Sequence, residues 1–359
     1  MEFLYCYPCV FVIGSEYEIL VIAKENGIIS LSVNGDTYYE DNSGVLSSEK
    51  CFAKIRVPKE KLDASKEYTV SYRKTVKREG YFSKLEEEVC LGFSFKPLTK
   101  ADGINLYHVS DVHYRFDVAK RTASYFGDDL DVLLVNGDIG EVETIQNYLE
   151  VAEFVGDITK GALPVVFVRG NHDTRGRLAE LYTEYFPSNG KKTYFTFDLG
   201  PICGVAFDCG EDKDDSHAEY GGVNAFASFR RKESEFFQSL EGSDKPTFAI
   251  GHMCPAQITD RPGSEFDIEA DLYSEWVGEL ERIGISFMIC GHFHRTYVLE
   301  SNDDRSLIPH NFPVIIGTGC DFAKDDMWGT AITIEGGKAN IKFTDSHHNV
   351  RESHVIDIK

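Results

Sequence analysis

The sequence has 359 residues, of which 42% are hydrophobic and 27% charged, and this balance is typical of a folded globular protein rather than a disordered one. Its 59 acidic residues outnumber its 37 lysines and arginines, and the formal net charge of −22 disfavours long nucleic acids and anionic membranes as partners. A small phosphorylated substrate is compatible with this charge, because bound divalent cations can reverse the field within a site.

The first residues, MEFLYCYPCVFVIG, are predicted to form a strand rather than a signal peptide. Glu2 stands where a signal peptide carries a basic residue, and no small-residue cleavage site follows. The Cys6-x-x-Cys9 pair could mark a metal or redox site, but without a second ligand pair nearby two strand cysteines are the favoured interpretation. Nine scattered cysteines favour a cytoplasmic protein, and no transmembrane helix is expected because no run of about 18 apolar residues occurs.

Residues 1–98 are predicted to form a small all-β sandwich-like domain. Turn signals such as Asn34-Gly35-Asp36 separate β-type segments, and no helical periodicity appears. The predicted strands are 5–13, 28–33, 53–57 and 68–72. The polar stretch 96–103 is interpreted as a linker. Two roles stay open for this domain, an interaction or dimerisation module and one wall of a catalytic cleft.

Residues 104–359 are predicted to form an α/β domain, because apolar strands alternate with helical patterns from Ile104 onward. The predicted strands are 104–109, 132–135, 165–168, 247–250 and 287–290. The predicted helices are 116–126, 144–158, 177–186, 225–240 and 272–283, and an antiparallel hairpin is predicted over 192–209. Further strands are predicted from Phe312 onward, so the expected architecture is a two-sheet β-sandwich flanked by helices.

Each of the five predicted α/β-domain strands ends in residue types that bind metals, and four of them place a glycine directly before the ligand. Because strand ends of such a sheet meet along one edge, the loops there can aim distant side chains at a common point. Glycine permits the unusual backbone angles and close approach that this requires. The candidate ligands are Asp111, His113, Asp138, Asn171, His252, His292 and His294.

The chemistry of these ligands favours two divalent metal ions. Imidazoles, carboxylates and an amide oxygen suit Mn, Fe, Zn or Co, and the lack of thiolates at the strand ends disfavours a zinc ribbon or an iron–sulfur site. One catalytic ion with open positions needs about four to six ligands in all, so seven protein candidates favour two ions. Asp138, after a central strand, is the candidate for a carboxylate that bridges them.

The ordered blocks D-x-H, G-D, G-N-H-D, G-H and G-H-x-H, over about residues 104–320, resemble those of the calcineurin-like metallophosphoesterase superfamily. The resemblance implies a β-sandwich flanked by helices, in agreement with the strand pattern. It implies one ion held by Asp111, His113, Asp138 and His294, and a second held by Asp138, Asn171, His252 and His292. It also implies that His172 is the general acid.

The resemblance implies hydrolysis of a small phosphomonoester or phosphodiester by a hydroxide that bridges the two metals. His172 is expected to protonate the departing alkoxide. Asp173 either fixes the tautomer of His172 or caps the helix that follows, and both roles stay open. A metal-binding scaffold without turnover is the alternative function, but the complete ligand set and His172 favour the enzyme.

An N-terminal β-sandwich before the phosphoesterase domain is similar to the arrangement in purple acid phosphatases, but two positions differ. Those enzymes carry a tyrosinate ligand three residues after the aspartate of the second block, where this chain has Glu141. They also lack the histidine of the first block, which this chain has as His113. Ferric tyrosinate chemistry is therefore not expected. The blocks also fit cyclic-nucleotide phosphodiesterases, as they fit members with other substrates.

Substrate contacts are expected from loops around the metals. The segment 211–217 forms either a flap over the site or a solvated charged loop, and His217 and the nearby Tyr220 are candidates for substrate contact. Arg175 and Arg177 could bind phosphate oxygens bidentately or form surface ion pairs.

Overall fold

The computed structural model of the chain describes residues 2–258, 263–321 and 323–358, without the side chain of Asp321. The described strands are β1 (Cys9–Ile13), β2 (Glu16–Ile22), β3 (Gly27–Val33), β4 (Asp36–Tyr38), β5 (Phe52–Pro58), β6 (Glu67–Lys77), β7 (Lys84–Leu85), β8 (Val89–Ser94), β9 (Ile104–Val109), β10 (Val132–Asn136), β11 (Pro164–Val168), β12 (Phe195–Asp198), β13 (Cys203–Ala206), β14 (Thr247–Ile250), β15 (Phe287–Cys290), β16 (Arg295–Leu299), β17 (Val314–Asp321), β18 (Asp326–Glu335), β19 (Lys338–Asp345) and β20 (Val350–Asp357). The described α-helices are α1 (Lys59–Ser65), α2 (Phe116–Ala123), α3 (Ile145–Thr159), α4 (Tyr182–Tyr185), α5 (Phe226–Ser239) and α6 (Ala270–Ile283).

Two β-sheet layers pack face to face and are joined where β17 pairs with β18. One layer has the order β12-β13-β14-β15-β17, and the other has the order β18-β9-β10-β11-β1-β2-β5. Strands β9, β10 and β11 pair in parallel and are almost entirely buried, as expected for strands covered on both faces. Leu134 and Val166 of one layer share a hydrophobic core with Ile250 and Ile289 of the other.

Helices cover the two outer faces of this sandwich. Phe154 of α3 belongs to a second core with Leu133 of β10, and Trp276 of α6 belongs to a third with Met288 of β15. The Trp276 indole nitrogen donates a 2.8 Å hydrogen bond to Ser234, which ties α6 to α5. The predicted class, an α/β fold with a two-sheet β-sandwich flanked by helices, is confirmed.

The N-terminal region is all-β apart from α1, but its strands belong to two sheets. Strands β3, β4, β6, β7 and β8 form a separate five-stranded sheet. Strands β1, β2 and β5 extend the main layer, because β1 lies parallel to β11 with Val10 opposite Pro164. Backbone hydrogen bonds between β1 and β11 thus join residues of the predicted domain 1–98 to residues of the predicted domain 104–359. The division of the chain into these two domains stays a prediction.

Most predicted elements of the α/β domain form within a few residues of their expected bounds, but the helix predicted over 177–186 does not. A short 3-10 turn over Ala179–Leu181 and the single turn α4 take its place. The aromatic side chains of this segment pack inward, with Tyr185 stacked on Tyr148 at 4.4 Å and Phe186 on Phe167 at 4.5 Å between ring centroids. This packing, rather than a helical period, places the aromatic residues.

The two cysteines of the Cys6-x-x-Cys9 pair are both buried, and the Cys9 thiol donates a 3.3 Å hydrogen bond to the Ala152 carbonyl. Neither belongs to a candidate metal cluster among the described residues. In the part of the chain that the structure describes, the longest helix is α3 with 15 residues, and no helix has the length and apolar character needed to span a membrane.

Candidate metal centre

The loops that follow five strands meet at one edge of the sandwich. Four of these strands, β9, β10, β14 and β15, end two residues before a candidate ligand, and β11 ends three residues before Asn171. Contacts described below join the ligand side chains of all five loops. The convergence predicted from the strand ends is therefore present in the fold.

The backbone of these loops is strained where it presents the ligands. Five candidate ligands have left-handed φ angles, which non-glycine residues rarely adopt and which concentrate at functional sites: Asp111 (55°), His113 (44°), Asp138 (53°), His292 (70°) and His294 (52°). The loops also approach closely, since a Cβ atom at Gly170 would collide with the backbone nitrogen of Asp138. The glycine before Asn171 is thus needed for this close approach.

Asp111, His113 and His294 form the first cluster, in which the ligand atoms all lie within 4.8 Å of one another. The Nε2 atoms of the two imidazoles are 3.4 Å apart, and His294 Nε2 lies 3.4 Å from Asp111 Oδ1. Three ligand atoms that converge in this way leave a space that suits a cation.

Asp138, His252 and His292 form the second cluster, again with ligand atoms within 4.8 Å of one another. His252 Nε2 lies 3.1 Å from Asp138 Oδ2, and His292 Nδ1 lies 3.1 Å from the amide oxygen of Asn171. The same Asp138 oxygen is 4.0 Å from His113 Nε2 of the first cluster. Asp138 therefore lies between the two clusters, where a bridging carboxylate is predicted.

Buried ligand atoms without partners support a fit to metal ions. Asp111 Oδ1 and His252 Nε2 are buried and make no hydrogen bond among the described residues, and their close charged neighbours are other candidate ligands, His294 at 3.4 Å and Asp138 at 3.1 Å. Leaving such groups unpaired in a protein interior is costly, and coordination of a cation would satisfy them. The nitrogen and oxygen donors are those that Mn, Fe, Zn and Co accept. All seven predicted ligands lie in this one region, and the residues fit a dinuclear centre.

The other atoms of the ligands are held by neighbouring polar groups. Ser110 and Thr318 donate hydrogen bonds of 2.8 and 2.9 Å to Asp111 Oδ2, which turns Oδ1 toward the clusters. His252 Nδ1 lies 2.7 Å from the carbonyl oxygen of Asn136 and donates to it, so Nε2 is presented as the ligand atom. Supports of this kind fix the orientation of metal ligands. None of these three supporting residues was predicted from the sequence.

Burial and charge together set the pKa values of the candidate ligands. Burial acts to lower the pKa of His252, but the adjacent Asp138 carboxylate outweighs it and raises that pKa to about 10. Burial acts to raise the pKa of Asp138, and His252 in turn holds it well below its ordinary value. Burial lowers the pKa of His113 and of His292. In the absence of a metal, the charge of Asp138 therefore favours the cationic form of His252 despite its burial.

His172 lies beside the first cluster with its Nε2 atom directed toward it. Nε2 is 4.0 Å from Asp138 Oδ2, and the His172 ring centroid is 4.9 Å from that of His113. Its Nδ1 atom lies 2.6 Å from Glu141 Oε1. Burial acts to raise the pKa of Glu141, but the hydrogen bond from His172 lowers it overall, so Glu141 is a carboxylate at neutral pH.

Asp173 does not have either of the roles predicted for it. Its carboxylate accepts hydrogen bonds from the backbone nitrogens of Asp138 (2.9 Å), Gly170 (2.7 Å), Ile139 (3.0 Å) and Gly140 (3.3 Å). Burial and the nearby Asp138 raise its pKa to about 6. Asp173 thus fastens the loop after β10 to the loop after β11, while Glu141 contacts the imidazole of His172. The prediction did not foresee that backbone amides of the loop after β10 would reach this carboxylate.

Arg175 reaches the site and Arg177 does not contact it. The Arg175 guanidinium forms a bidentate ion pair with the buried Glu211, with N–O distances of 2.9 and 2.8 Å, and its Nη1 atom lies 3.4 Å from His172 Nε2. Arg177 is exposed, and no contact of its side chain with a candidate ligand occurs among the described residues. The proposed phosphate contact of either residue stays a prediction.

The segment 211–217 folds against Arg175 rather than extending as a solvated loop. Glu211 is buried, Asp212 Oδ1 accepts a 2.9 Å hydrogen bond from the Tyr220 hydroxyl, and the Tyr220 ring lies under Arg175 at 5.9 Å. His217 is farther along, where it contacts Glu219 and lies 3.6 Å from Glu265. Tyr220 is therefore connected to the site through Arg175, whereas His217 contacts Glu219, Glu265 and the Tyr220 ring.

Comparisons with known proteins agree with this geometry. The sequence profile of the calcineurin-like phosphoesterase family matches residues 104–296. The solved structure of a purple acid phosphatase from yellow lupin (Lupinus luteus) seeds is similar over 98% of this chain and 74% of its own, with 11% identity and a TM-score of 0.62. A structure of PhoD is similar over 98% of this chain and 88% of its own, with 12% identity and a TM-score of 0.58. These two likenesses show a shared fold that includes the N-terminal region. No curated protein matches the chain.

Proposed function

Because the chain belongs to the calcineurin-like phosphoesterase family, we propose that it is a metal-dependent hydrolase of small phosphomonoesters or phosphodiesters. One observation carries the proposal: two clusters of three candidate ligands lie side by side, and Asp138 Oδ2 is within 4.0 Å of a histidine in each. The net charge of −22 favours a small substrate over a long nucleic acid. Two divalent cations held there would supply Lewis-acid activation of water and neutralise charge on phosphate oxygens.

We assign one ion to Asp111, His113, Asp138 and His294, and the other to Asp138, Asn171, His252 and His292. The protein's own residues would handle the leaving group. His172 Nδ1 is occupied by Glu141, so Nε2 faces the centre and can donate a proton to the departing alkoxide. Glu141 fixes this tautomer and stabilises the imidazolium from which the proton comes. Arg175, held by Glu211, lies next to that nitrogen and can bind a phosphate oxygen.

The test combines metal content with turnover. The metal-free protein is loaded separately with Mn, Fe, Zn and Co, the ions bound per chain are counted, and release of para-nitrophenol is followed from the mono- and bis-para-nitrophenyl esters of phosphate. We expect activity to rise with occupancy and to require both ions. A protein that carries two ions but turns over neither ester would contradict the proposal and favour a metal-bearing scaffold.

Glu141→Gln should lower kcat about tenfold with little change in KM, because the amide can still accept the His172 hydrogen bond but carries no charge to stabilise the imidazolium. Steady-state kinetics and metal analysis check this. Glu143→Gln is the matched control, since Glu143 is exposed two residues farther along. An equal decrease of kcat in Glu141→Gln and Glu143→Gln, or loss of metal from Glu141→Gln, would show that Glu141 does not act through His172.

Metal loading should release a proton from His252. Its pKa of about 10 means that the metal-free imidazole is protonated at neutral pH, whereas a metal ligand must be neutral. Metal affinity should therefore rise with pH, by about tenfold per pH unit between about pH 7.5 and 9. Calorimetry in buffers of different ionisation enthalpy measures the released proton. A binding enthalpy independent of the buffer would contradict this charge state of His252.

A further inference from the structure

A cavity of about 500 Å³ opens beside the candidate metal centre and shares His292 with it as a lining residue. We call this cavity the side pocket, lined by His292, Met253, Phe266, Ile268, Phe293 and Tyr297 among others. We propose that the side pocket binds a planar, apolar group carried by the phosphoester substrate. This inference rests on the proposed function and adds to it a substrate class, aromatic or similarly apolar esters rather than esters of polar alcohols.

The composition of the wall favours an apolar ring. Met253, Ile268, Phe293 and Tyr297 present thioether, aliphatic and aromatic surface, which stabilises apolar groups by burial and rings by stacking. The Phe266 side chain is 49% exposed at this cavity, although large aromatic side chains usually bury most of their surface. An exposed aromatic residue at the mouth of a cavity is suited to cover a bound ring.

Three polar side chains of the pocket, those of Gln257, Asp267 and Asp212, already make hydrogen bonds within the protein, and Arg295 is a further polar residue of the wall. The amide nitrogen of Gln257 donates a 2.6 Å hydrogen bond to the Ile268 carbonyl, and Asp267 Oδ2 accepts a 2.9 Å bond from the Ser264 backbone nitrogen. Asp212 accepts the hydrogen bond from Tyr220 described above. A polyhydroxylated alcohol would lose its water contacts here and gain few hydrogen bonds in return, whereas an apolar ring has none to lose.

Position and size also fit a substrate group. A volume of about 500 Å³ is within the range of sites that bind small organic molecules. His292 belongs to the second cluster, so a phosphate held at the clusters would place one ester substituent at the entrance of the side pocket. The organic group of a substrate whose phosphate lies at the clusters would therefore be next to this cavity.

The experiment compares phenethyl phosphate with ethyl phosphate, together with the methyl diester of each, on the manganese-loaded full chain. The two leaving alcohols have similar acidity, so a difference in kcat/KM reports binding of the ring rather than the chemistry of bond cleavage. We expect the phenethyl esters to be preferred by about tenfold or more. Phenethylphosphonate and ethylphosphonate, which are not hydrolysed, give a binding measurement that does not depend on turnover.

Phe266→Ala and Tyr297→Ala should each reduce the phenethyl preference by about three- to tenfold. The control is Phe82→Ala, since Phe82 is 97% exposed in the β6–β7 loop. Because the preference is a ratio measured on one protein sample, partial misfolding of a variant lowers both rates and leaves the ratio unchanged. A ratio that is the same in the variants and the unmodified protein would place the ring elsewhere and overturn the inference.

The outcomes separate the inference from the proposed function. If the phenethyl and ethyl esters are hydrolysed at equal metal-dependent rates and the two phosphonates bind with equal affinity, the proposed role of the side pocket is wrong. The proposed phosphoesterase activity is unaffected by that result. No turnover of any ester, with a preference for phenethylphosphonate that Phe266→Ala reduces, overturns the hydrolase and supports the pocket as a binding site.

Discussion

Asp138→Asn is expected to deplete both metal positions of the centre and to lower kcat/KM by at least about a thousandfold. Asp138 is the carboxylate that lies between the two clusters, 3.1 Å from His252 and 4.0 Å from His113. Asparagine keeps the size of the side chain but loses the negative charge, so both ions lose a shared anionic ligand. Metal analysis after dialysis measures occupancy directly, and it does not depend on any choice of substrate.

Asp131→Asn is the matched control, because Asp131 is a buried carboxylate directly before β10, at the opposite end of the strand from Asp138. Asp131 forms ion pairs with Lys96 and Lys100. Loss of the Asp131 charge removes these ion pairs, so the melting temperature should fall while the metal content per folded chain stays unchanged. If Asp138→Asn retained two ions per chain, the bridging role would be wrong. If it lost one ion alone, Asp138 would serve only one position.

The ligand positions could be predicted from the sequence because their signal is local. A buried apolar strand followed at once by a glycine and a ligand residue, as in Gly137-Asp138 and Gly251-His252, is read from a few neighbouring residues. The parallel strands β9, β10 and β11 then bring their ends to one edge through regular hydrogen bonding. The closeness of the loops that carry Asp111, Asp138 and Asn171 thus follows from the pairing of these three strands.

The groups that orient those residues could not be predicted in the same way, because they depend on the paths of the loops. Glu141 contacts His172, and Glu211 contacts Arg175, across loops that have no periodic pattern. A partial signal existed for Glu141, since the loops after β10 and β11 must be adjacent when these strands pair. Asp173 was predicted either to orient its sequence neighbour His172 or to cap a helix, whereas its carboxylate accepts hydrogen bonds from backbone amides of the other loop.

The N-terminal region shows a second limit of local patterns. The turn signals and β-type segments of residues 1–98 predicted strands, but strand pairing depends on which sheet edge is open. β11 offers such an edge, and β1 pairs with it in parallel, so β1, β2 and β5 extend the main sheet. Nothing in the apolar sequence of β1 distinguishes this edge from that of the small sheet.

His172→Ala is expected to keep both metals and lose rate in a manner that depends on the leaving group. A general acid contributes about a hundred- to ten-thousandfold when the departing alkoxide is strongly basic. We therefore expect a loss of that size with an alkyl phosphoester. With a para-nitrophenyl ester the leaving group departs without a proton, and the loss should be much smaller. His354→Ala, which removes an imidazole on β20 paired with Glu352, is the control and should change neither rate.

The comparison with Asp138→Asn makes this assignment specific. His172 Nε2 lies 4.0 Å from Asp138 Oδ2, near enough that the ring could be taken for a further ligand. Its Nδ1 is held by Glu141, and its backbone nitrogen donates a 2.9 Å hydrogen bond to Asp138 Oδ1, so the residue also supports the bridging carboxylate. That backbone contact survives substitution by alanine, and metal occupancy should survive with it. Depletion of metal in His172→Ala to the level of Asp138→Asn would make His172 a ligand, and equal losses with both leaving groups would remove its role as proton donor.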